Sequence, residues 1–201
     1  MKILWIVCLT GSAAFAQGVQ NMDFSFLFGP AITSATATAG PTGPGIVAGA
    51  HAAFSFQLNY GYQFAATKVG NLYLETPATF VFDPNASVDR GTVVAQDRNT
   101  SYFTPGLRLK IPTGTRLSFY AALGGGVANF HEVDVVVNGQ VLAAVNSTLR
   151  PALDFGGGLD FRISRWFSLR ADVRDFVSAA GFGGSTGHNH TVAVFGFAFH
   201  R

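Results

Sequence analysis

The chain has 201 residues, of which 48% are hydrophobic and 12% are charged, and its formal net charge is +2 at pH 7. Soluble domains carry roughly 25% charged residues, and a disordered chain needs low hydrophobicity with high charge, so this composition excludes intrinsic disorder. The nearly neutral balance gives no basic footprint for nucleic acid. We therefore expect no nucleic-acid partner.

The N-terminus has the pattern of a cleaved secretory signal peptide. Lys2 supplies a positive charge, and residues 3–9 form an apolar run too short to span a membrane. Ala14 and Ala16 then place small residues at the −3 and −1 positions of a cleavage site before Gln17. The pattern predicts an exported protein.

This cleavage divides the chain into a signal peptide, 1–16, and a single folded domain, 17–201. Cys8 is the one cysteine of the sequence and leaves with the signal peptide. The mature domain then has no disulfide and no thiolate to hold a metal.

Strict alternation of apolar and polar residues begins after this region and is clearest in 54–64. One face of this segment carries apolar and aromatic side chains, namely Phe54, Phe56, Leu58, Tyr60, Tyr62 and Phe64. The other face carries Ser, Gln, Asn and Gly. Such a period of two predicts a β-strand, and eleven residues match the roughly 9–11 that a tilted strand needs to cross a bilayer.

The same pattern predicts eight strand segments. They are 22–29, 51–64, 71–82, 101–111, 116–131, 148–163, 166–177 and 190–200. Three connections are short: 65–70, 112–115 and 164–165. The four that alternate with them are long: 30–50, 83–100, 132–147 and 178–189. This layout predicts an all-β fold, an eight-stranded antiparallel up-and-down transmembrane β-barrel with short periplasmic turns and long extracellular loops.

Alternate residues along these strands, which we distinguish by parity, face opposite sides of the wall, and the charged and the apolar side chains fall on different sides. The inward charged residues are Asp23, Glu75, Arg108, Lys110, Arg150, Asp154, Asp160, Arg162, Arg170, Asp172 and Arg174. The outward, lipid-facing residues include Phe54, Phe56, Leu58, Phe155, Phe161, Phe195, Phe197 and Phe199. Asp175 is the one strand charge on the outward face, at the loop end of its strand.

The inward cations and carboxylates nearly balance, and an eight-stranded barrel leaves room only for side chains. Because buried charges must be paired, we expect an ion-pair network that fills and closes the lumen. A narrow porin-like channel for small solutes remains the alternative.

Alternation alone does not decide which face is inside, so a soluble lipocalin-like barrel must also be weighed. Its surface would carry many lysines, whereas the mature chain has only Lys68 and Lys110. Lys68, Arg116, Arg165 and Trp166 gather at the short turns, as residues of a membrane interface do. The membrane barrel is favoured.

The signal peptide, the eight amphipathic strands and the Phe-rich last strand resemble the small outer-membrane β-barrel family of the OmpA/OmpX type. The resemblance implies a porin-like protein of the Gram-negative outer membrane. Its expected partners are the lipid bilayer and, during biogenesis, the barrel-assembly machinery. Family members usually end on an aromatic residue, whereas here Phe199 is followed by His200 and Arg201. No cofactor is implied, and the sequence names no loop partner.

Two further motifs are weak. Residues 183–187 match G-x-S-x-G and precede His188, but that motif needs a strand-to-helix turn and here falls in a loop. His188 and His190 are too few to form a zinc site. We therefore predict no catalytic residue and no metal site, with a lipid A-modifying enzyme as the least favoured alternative.

Glycine triplets occupy the fifth and sixth strands, at 124–126 and 156–158. Glycines within barrel strands permit bending and close approach. A hairpin centred near residue 141 would place Gly125 opposite Gly157. The expected role of the whole protein is in outer-membrane structure or in surface interaction through its loops.

Overall fold

A computed structural model describes residues 21–34, 51–83, 93–137, 140–142, 146–178 and 188–201. The predicted cleavage site at Ala16 and Gln17 and the motif 183–187 lie outside these residues. The strands are β1 (Met22–Ser34), β2 (His51–Ala66), β3 (Asn71–Asp83), β4 (Val93–Phe103), β5 (Gly106–Pro112), β6 (Leu117–Val137), β7 (Gln140–Leu142), β8 (Asn146–Arg162), β9 (Phe167–Ser178) and β10 (His188–His200).

The described strands form a closed antiparallel barrel with eight strand positions around its wall, and we call each position a stave. Neighbouring staves follow one another in chain order, and β1 pairs with β10 to close the wall. β4 and β5 form one stave, because both lie between β3 and β6. β7 is a short addition that pairs only with the far end of β6. The predicted eight-stranded up-and-down barrel is confirmed.

The two ends of the barrel differ. The short connections 67–70, 113–116 and 163–166 lie at one end, which we call the turn end, together with the start of β1 and the end of β10. We call the opposite end the loop end. Several strands extend farther toward it than alternation predicts: β1 reaches Ser34 rather than residue 29, and β4 begins at Val93. Main-chain hydrogen bonds continue the ladder where side-chain polarity no longer alternates.

Side chains alternate between the interior and the outer surface. All eight predicted outward residues point away from the interior, and the two half-buried ones are Phe56 and Leu58. Phe56 is covered by Phe80, whose ring stacks on it with centroids 4.7 Å apart. Asp175 also faces outward, half-buried, and accepts a hydrogen bond from the Thr191 hydroxyl at 3.3 Å. No helix among the described residues is long and apolar enough to cross a membrane.

The glycine triplets are not aligned as expected. Gly125 lies opposite Leu153, and Gly157 lies opposite Ala121. β6 continues to Val137 and still pairs with β8 where Glu132 meets Asn146, which centres the hairpin near residue 139 rather than 141. The predicted Gly125–Gly157 pairing is wrong, although the even shift keeps each residue on the same face.

The stave formed by β4 and β5 is interrupted at Thr104 and Pro105. The Thr104 amide donates to the carbonyl of Pro77 at 3.4 Å, and the Gly125 amide donates to the carbonyl of Pro105 at 3.1 Å. Neither proline has an N–H to return the bond. Hydrogen bonding is therefore reduced on both sides of this stave at one level of the wall.

Gly126 lies where the interrupted stave comes close to β6. A Cβ atom at Gly126 would collide with the carbonyl oxygen of Phe103 and crowd the Thr104 Cα. At neighbouring Gly125 a Cβ would meet only the flexible end of Leu153, at 3.2 Å. Only the collision at Gly126 involves main-chain atoms, and it can be relieved only if a strand moves.

We expect Gly126→Ala to lower the free energy of unfolding by about 1–3 kcal/mol, the usual cost of overpacking. Gly125→Ala, on the same strand but the opposite face, should change it by less than about 0.5 kcal/mol. Urea unfolding in lipid vesicles measures both variants. Equal losses in the two would contradict the close backbone approach at Gly126.

Candidate functional site

The interior of the barrel is the candidate site, and its turn-end half is ionic. Nine buried charged residues form one continuous network of ion pairs there. They are Asp23, Glu75, Arg108, Lys110, Asp154, Asp160, Arg170, Asp172 and Arg174. They project from β1, β3, β5, β8 and β9, so the network crosses the lumen from wall to wall.

Arg174 is the branching point of the network. Its Nη1 donates to Asp154 at 2.8 Å, its Nη2 donates to Glu75 at 2.8 Å, and its Nε donates to Asp172 at 3.0 Å. The guanidinium fork presents several donors in fixed directions, so one side chain pairs with three carboxylates from three strands, although Oδ1 of Asp154 and Oδ1 of Asp172 are buried without a hydrogen-bond partner among the described residues. All four residues are at most 1% exposed.

Arg170 forms the second centre, closer to the turn end. It binds Asp160 through two nitrogens, with Nε at 2.6 Å from Oδ1 and Nη2 at 2.9 Å from Oδ2. The same Nη2 reaches Asp23 at 3.1 Å, and Nη1 donates to the Ser25 hydroxyl at 3.2 Å. Lys110 adds a second cation to Asp160, at 2.5 Å from Oδ2.

Arg108 joins these two centres. Its Nη1 donates to Glu75 at 3.1 Å, and its Nη2 donates to Asp23. The Arg108 guanidinium also lies over two tyrosine rings, 4.6 Å from the centroid of Tyr73 and 5.5 Å from that of Tyr120. Cation–π contacts of this kind strengthen when they are shielded from water, so the rings help to hold the buried charge.

Arg150 and Arg162 are not brought into the network. Both are exposed, near the two ends of β8, and no described carboxylate lies within ion-pair distance of either. Parity gives a residue's face but not its height, and at the ends of a strand an inward-facing side chain reaches water. Among the described residues the buried network therefore holds four cations and five carboxylates.

Neutral polar side chains continue the network toward the middle of the barrel. Gln57 donates to Asp172 at 3.1 Å and to Oδ1 of Asn59 at 3.0 Å, and it accepts from the Thr79 hydroxyl at 3.1 Å. Asn59 in turn donates to Ser25 at 3.2 Å. These side chains are fully buried and satisfy one another, as buried polar groups must.

The loop-end half of the interior is apolar and aromatic. The Tyr102 ring stacks on Phe176, with centroids 4.3 Å apart, and meets Phe130 edge-on at 6.4 Å. The Tyr102 hydroxyl lies 2.5 Å from Nδ1 of His190. Small and branched side chains complete this cluster: Leu27, Ala31, Ala53, Val81, Ala128, Ala152, Val192 and Val194.

Side chains from opposite walls thus meet in both halves of the interior. Within the described part of the chain, no group of three His, Cys, Asp or Glu residues is placed to hold a metal ion. The interior chemistry is therefore that of paired charges and packed rings. Such an arrangement links strands across the interior of the barrel.

Sequence reasoning did not single out the aromatic cluster or the tyrosines beside Arg108. The signal was present, because Tyr102, Phe130 and Phe176 have inward parity on their strands. They were not predicted because only the charged inward residues were used to describe the interior. Their meeting also depends on the relative heights of four strands, which the stagger of the barrel sets.

The chain was compared with known proteins. No protein-family model and no curated protein sequence matches it. Among solved structures, it is similar to neisserial surface protein A, with 12% identity and a TM-score of 0.62 over 90% of this chain and 97% of that one. It is also similar to Ail of Yersinia pestis, with 15% identity and a TM-score of 0.52 over 91% of this chain and 100% of that one.

A third similar structure is the N-terminal β-barrel domain of Pseudomonas aeruginosa OprF, with 13% identity and a TM-score of 0.50 over 92% of this chain and all of that one. The fold is that of the small outer-membrane β-barrels. The resemblance expected from the sequence is confirmed at the level of fold. At these identities the likeness does not extend to a particular role.

Proposed function

We propose that the protein is an integral outer-membrane barrel with a closed lumen, which serves the structure of that membrane and displays its loops at the cell surface. The outward face supports membrane insertion, because it carries large apolar residues from the turn end to the loop end while charges face inward. In this orientation the turn end faces the periplasm, and the loop end faces outward.

The observation that carries the closed lumen is the filling of both halves of the interior. Arg174 and Arg170 each bind carboxylates from two or more strands, and Phe176 and Tyr102 stack across the loop-end half. Conduction would require a continuous water path past both layers. Breaking buried ion pairs to open one costs several kcal/mol for each unpaired charge.

Two of the proteins with this fold are, by name, a surface protein and an attachment protein. We extend surface display to this chain, but not their partners. The role is non-enzymatic in this proposal, as the sequence also led us to expect.

We expect the refolded protein to produce no stable conductance steps in a planar lipid bilayer. A general porin in the same bilayer serves as the positive control for detection, and a gel shift on boiling shows that the barrel is folded. Reproducible steps from the folded protein would contradict the closed lumen and favour the narrow channel.

Orientation and surface display are tested separately with an epitope tag. A tag inserted after residue 40, in the first long connection, should bind antibody on intact cells. The matched tag inserted in the turn 113–116 should bind antibody only after the cells are permeabilised. The reverse pattern, or no labelling of either tag in the outer-membrane fraction, would overturn this part of the proposal.

A further inference from the structure

A cavity of about 290 Å³ opens at the turn end of the barrel, beyond the ion-pair network. It lies across the mouth of the lumen, since its walls come from β1, β2, β3, β5, β6, β8, β10 and the turn 163–166. Cationic, amide and aromatic side chains line it.

The charge of this cavity is one-sided. Lys110, Arg162, Arg165 and Arg201 line it, whereas none of the described lining residues is Asp or Glu. Lys110 is neutralised by Asp160 of the ion-pair network. Arg162 and Arg165 have no described carboxylate within ion-pair distance, so their positive charge is available at the mouth. Arg201, the last residue of the sequence, carries an α-carboxylate beside its guanidinium and adds no net charge.

The other lining groups suit an organic molecule with hydroxyls. Trp166 and Tyr73 present aromatic surface, and the Arg165 guanidinium lies 4.9 Å from the Trp166 ring centroid, which limits its freedom. Asn71 and Gln63 offer amides that both donate and accept hydrogen bonds. At about 290 Å³ the cavity is at the lower end of the roughly 300–1,000 Å³ typical of ligand sites.

We propose that the turn-end mouth binds a small phosphate ester of about the size of one sugar. Arg162 and Arg165 would hold the phosphate, because guanidinium groups match its geometry with paired hydrogen bonds. Two unpaired guanidiniums at one site favour a doubly charged anion over a carboxylate. The organic part would lie against Trp166 and Tyr73. This inference stands whether or not the lumen conducts.

The test is titration calorimetry on the folded full-length mature protein, at fixed ionic strength, in a detergent whose headgroup contains neither phosphate nor sugar. The probes are glucose 6-phosphate, inorganic phosphate, glucose and acetate. Glucose 6-phosphate should bind saturably and tighter than phosphate. Acetate should bind at least about 10-fold more weakly than phosphate, and glucose should not bind saturably. The Trp166 fluorescence should change with the two phosphates.

Arg162→Gln and Arg165→Gln should each weaken binding of glucose 6-phosphate about 5-fold, the equivalent of about 1 kcal/mol for a partly exposed contact. The matched control is Lys68→Gln, which removes one positive charge from the turn 67–70 at the same end, does not line the cavity, and should weaken binding by less than about 2-fold. Arg162→Lys should restore part of the affinity. The boiling shift of each variant verifies folding.

Three outcomes would overturn the proposal. One is no saturable binding of either phosphate up to about 50 mM, because weak surface pairing gives no site-specific binding. Another is an equal loss in Lys68→Gln and Arg162→Gln, which would indicate only general attraction by net charge. The third is acetate binding as tightly as phosphate.

Discussion

Arg174→Met is expected to lower the free energy of unfolding by about 3–5 kcal/mol, because it removes the partner of three buried carboxylates at once. Asp154, Asp172 and Glu75 all bind this guanidinium at 2.8–3.0 Å. Methionine fills much of the space but leaves Asp154 and Asp172 without a cation, whereas Glu75 keeps Arg108. Urea unfolding in lipid vesicles, followed by the fluorescence of Trp166, measures the loss.

The matched control is Arg150→Met, which removes an exposed arginine from β8 and should change stability by less than about 0.5 kcal/mol. Arg174→Lys keeps the charge without the planar fork, so its loss should be intermediate. A loss below about 1 kcal/mol for Arg174→Met would mean that water, rather than ion pairing, satisfies the interior carboxylates.

The aromatic half of the interior should be as sensitive as the ionic half. Phe176→Ala is expected to cost about 3–5 kcal/mol, the range for buried Phe→Ala changes, since Phe176 is fully buried and stacks on Tyr102. The cavity left behind has rigid walls on four strands and cannot collapse freely. The same unfolding measurement applies.

Phe176→Leu retains most of the side-chain volume and should cost less than about 1.5 kcal/mol. A loss for Phe176→Ala no larger than that for Phe176→Leu would show that the loop-end half is loosely packed. In that case the closed lumen would depend on the ionic half alone, and the conductance measurement would have to be repeated on Arg174→Met.

The barrel could be predicted from the sequence because its two determining features are local. Alternation in single strands, as in 54–64, gives the face of each residue, and the unequal lengths of successive connections give the antiparallel order. The ends of the strands and the register of the hairpins were harder to predict from the sequence. They follow from main-chain pairing, which continued β6 to Val137 and moved the Gly125 partner to Leu153.

The arrangement of the interior could be predicted from the sequence only in part. Parity identified the eleven charged residues that face inward, and nine of them are buried together, while Arg150 and Arg162 are exposed. Which carboxylate each arginine binds depends on strand stagger, which one sequence does not reveal. The sequence placed Arg162 inward and Arg165 at a short turn, but it did not show that both line one cavity with Tyr73 and Asn71 from a distant strand.

The position of Asp23 links the chemistry of the interior to the order of assembly. Asp23 lies on the first strand and binds Arg108 and Arg170, the second of which is 147 residues away along the chain. It takes this place only when β1 reaches β10 and the seam of the wall joins. While the seam is open, Arg170 still has Asp160 and Arg108 still has Glu75, but neither has its contact with Asp23. Closing the seam and completing the ion-pair network are therefore coupled, so the last carboxylate of the network is brought into place by the longest-range pairing in the chain.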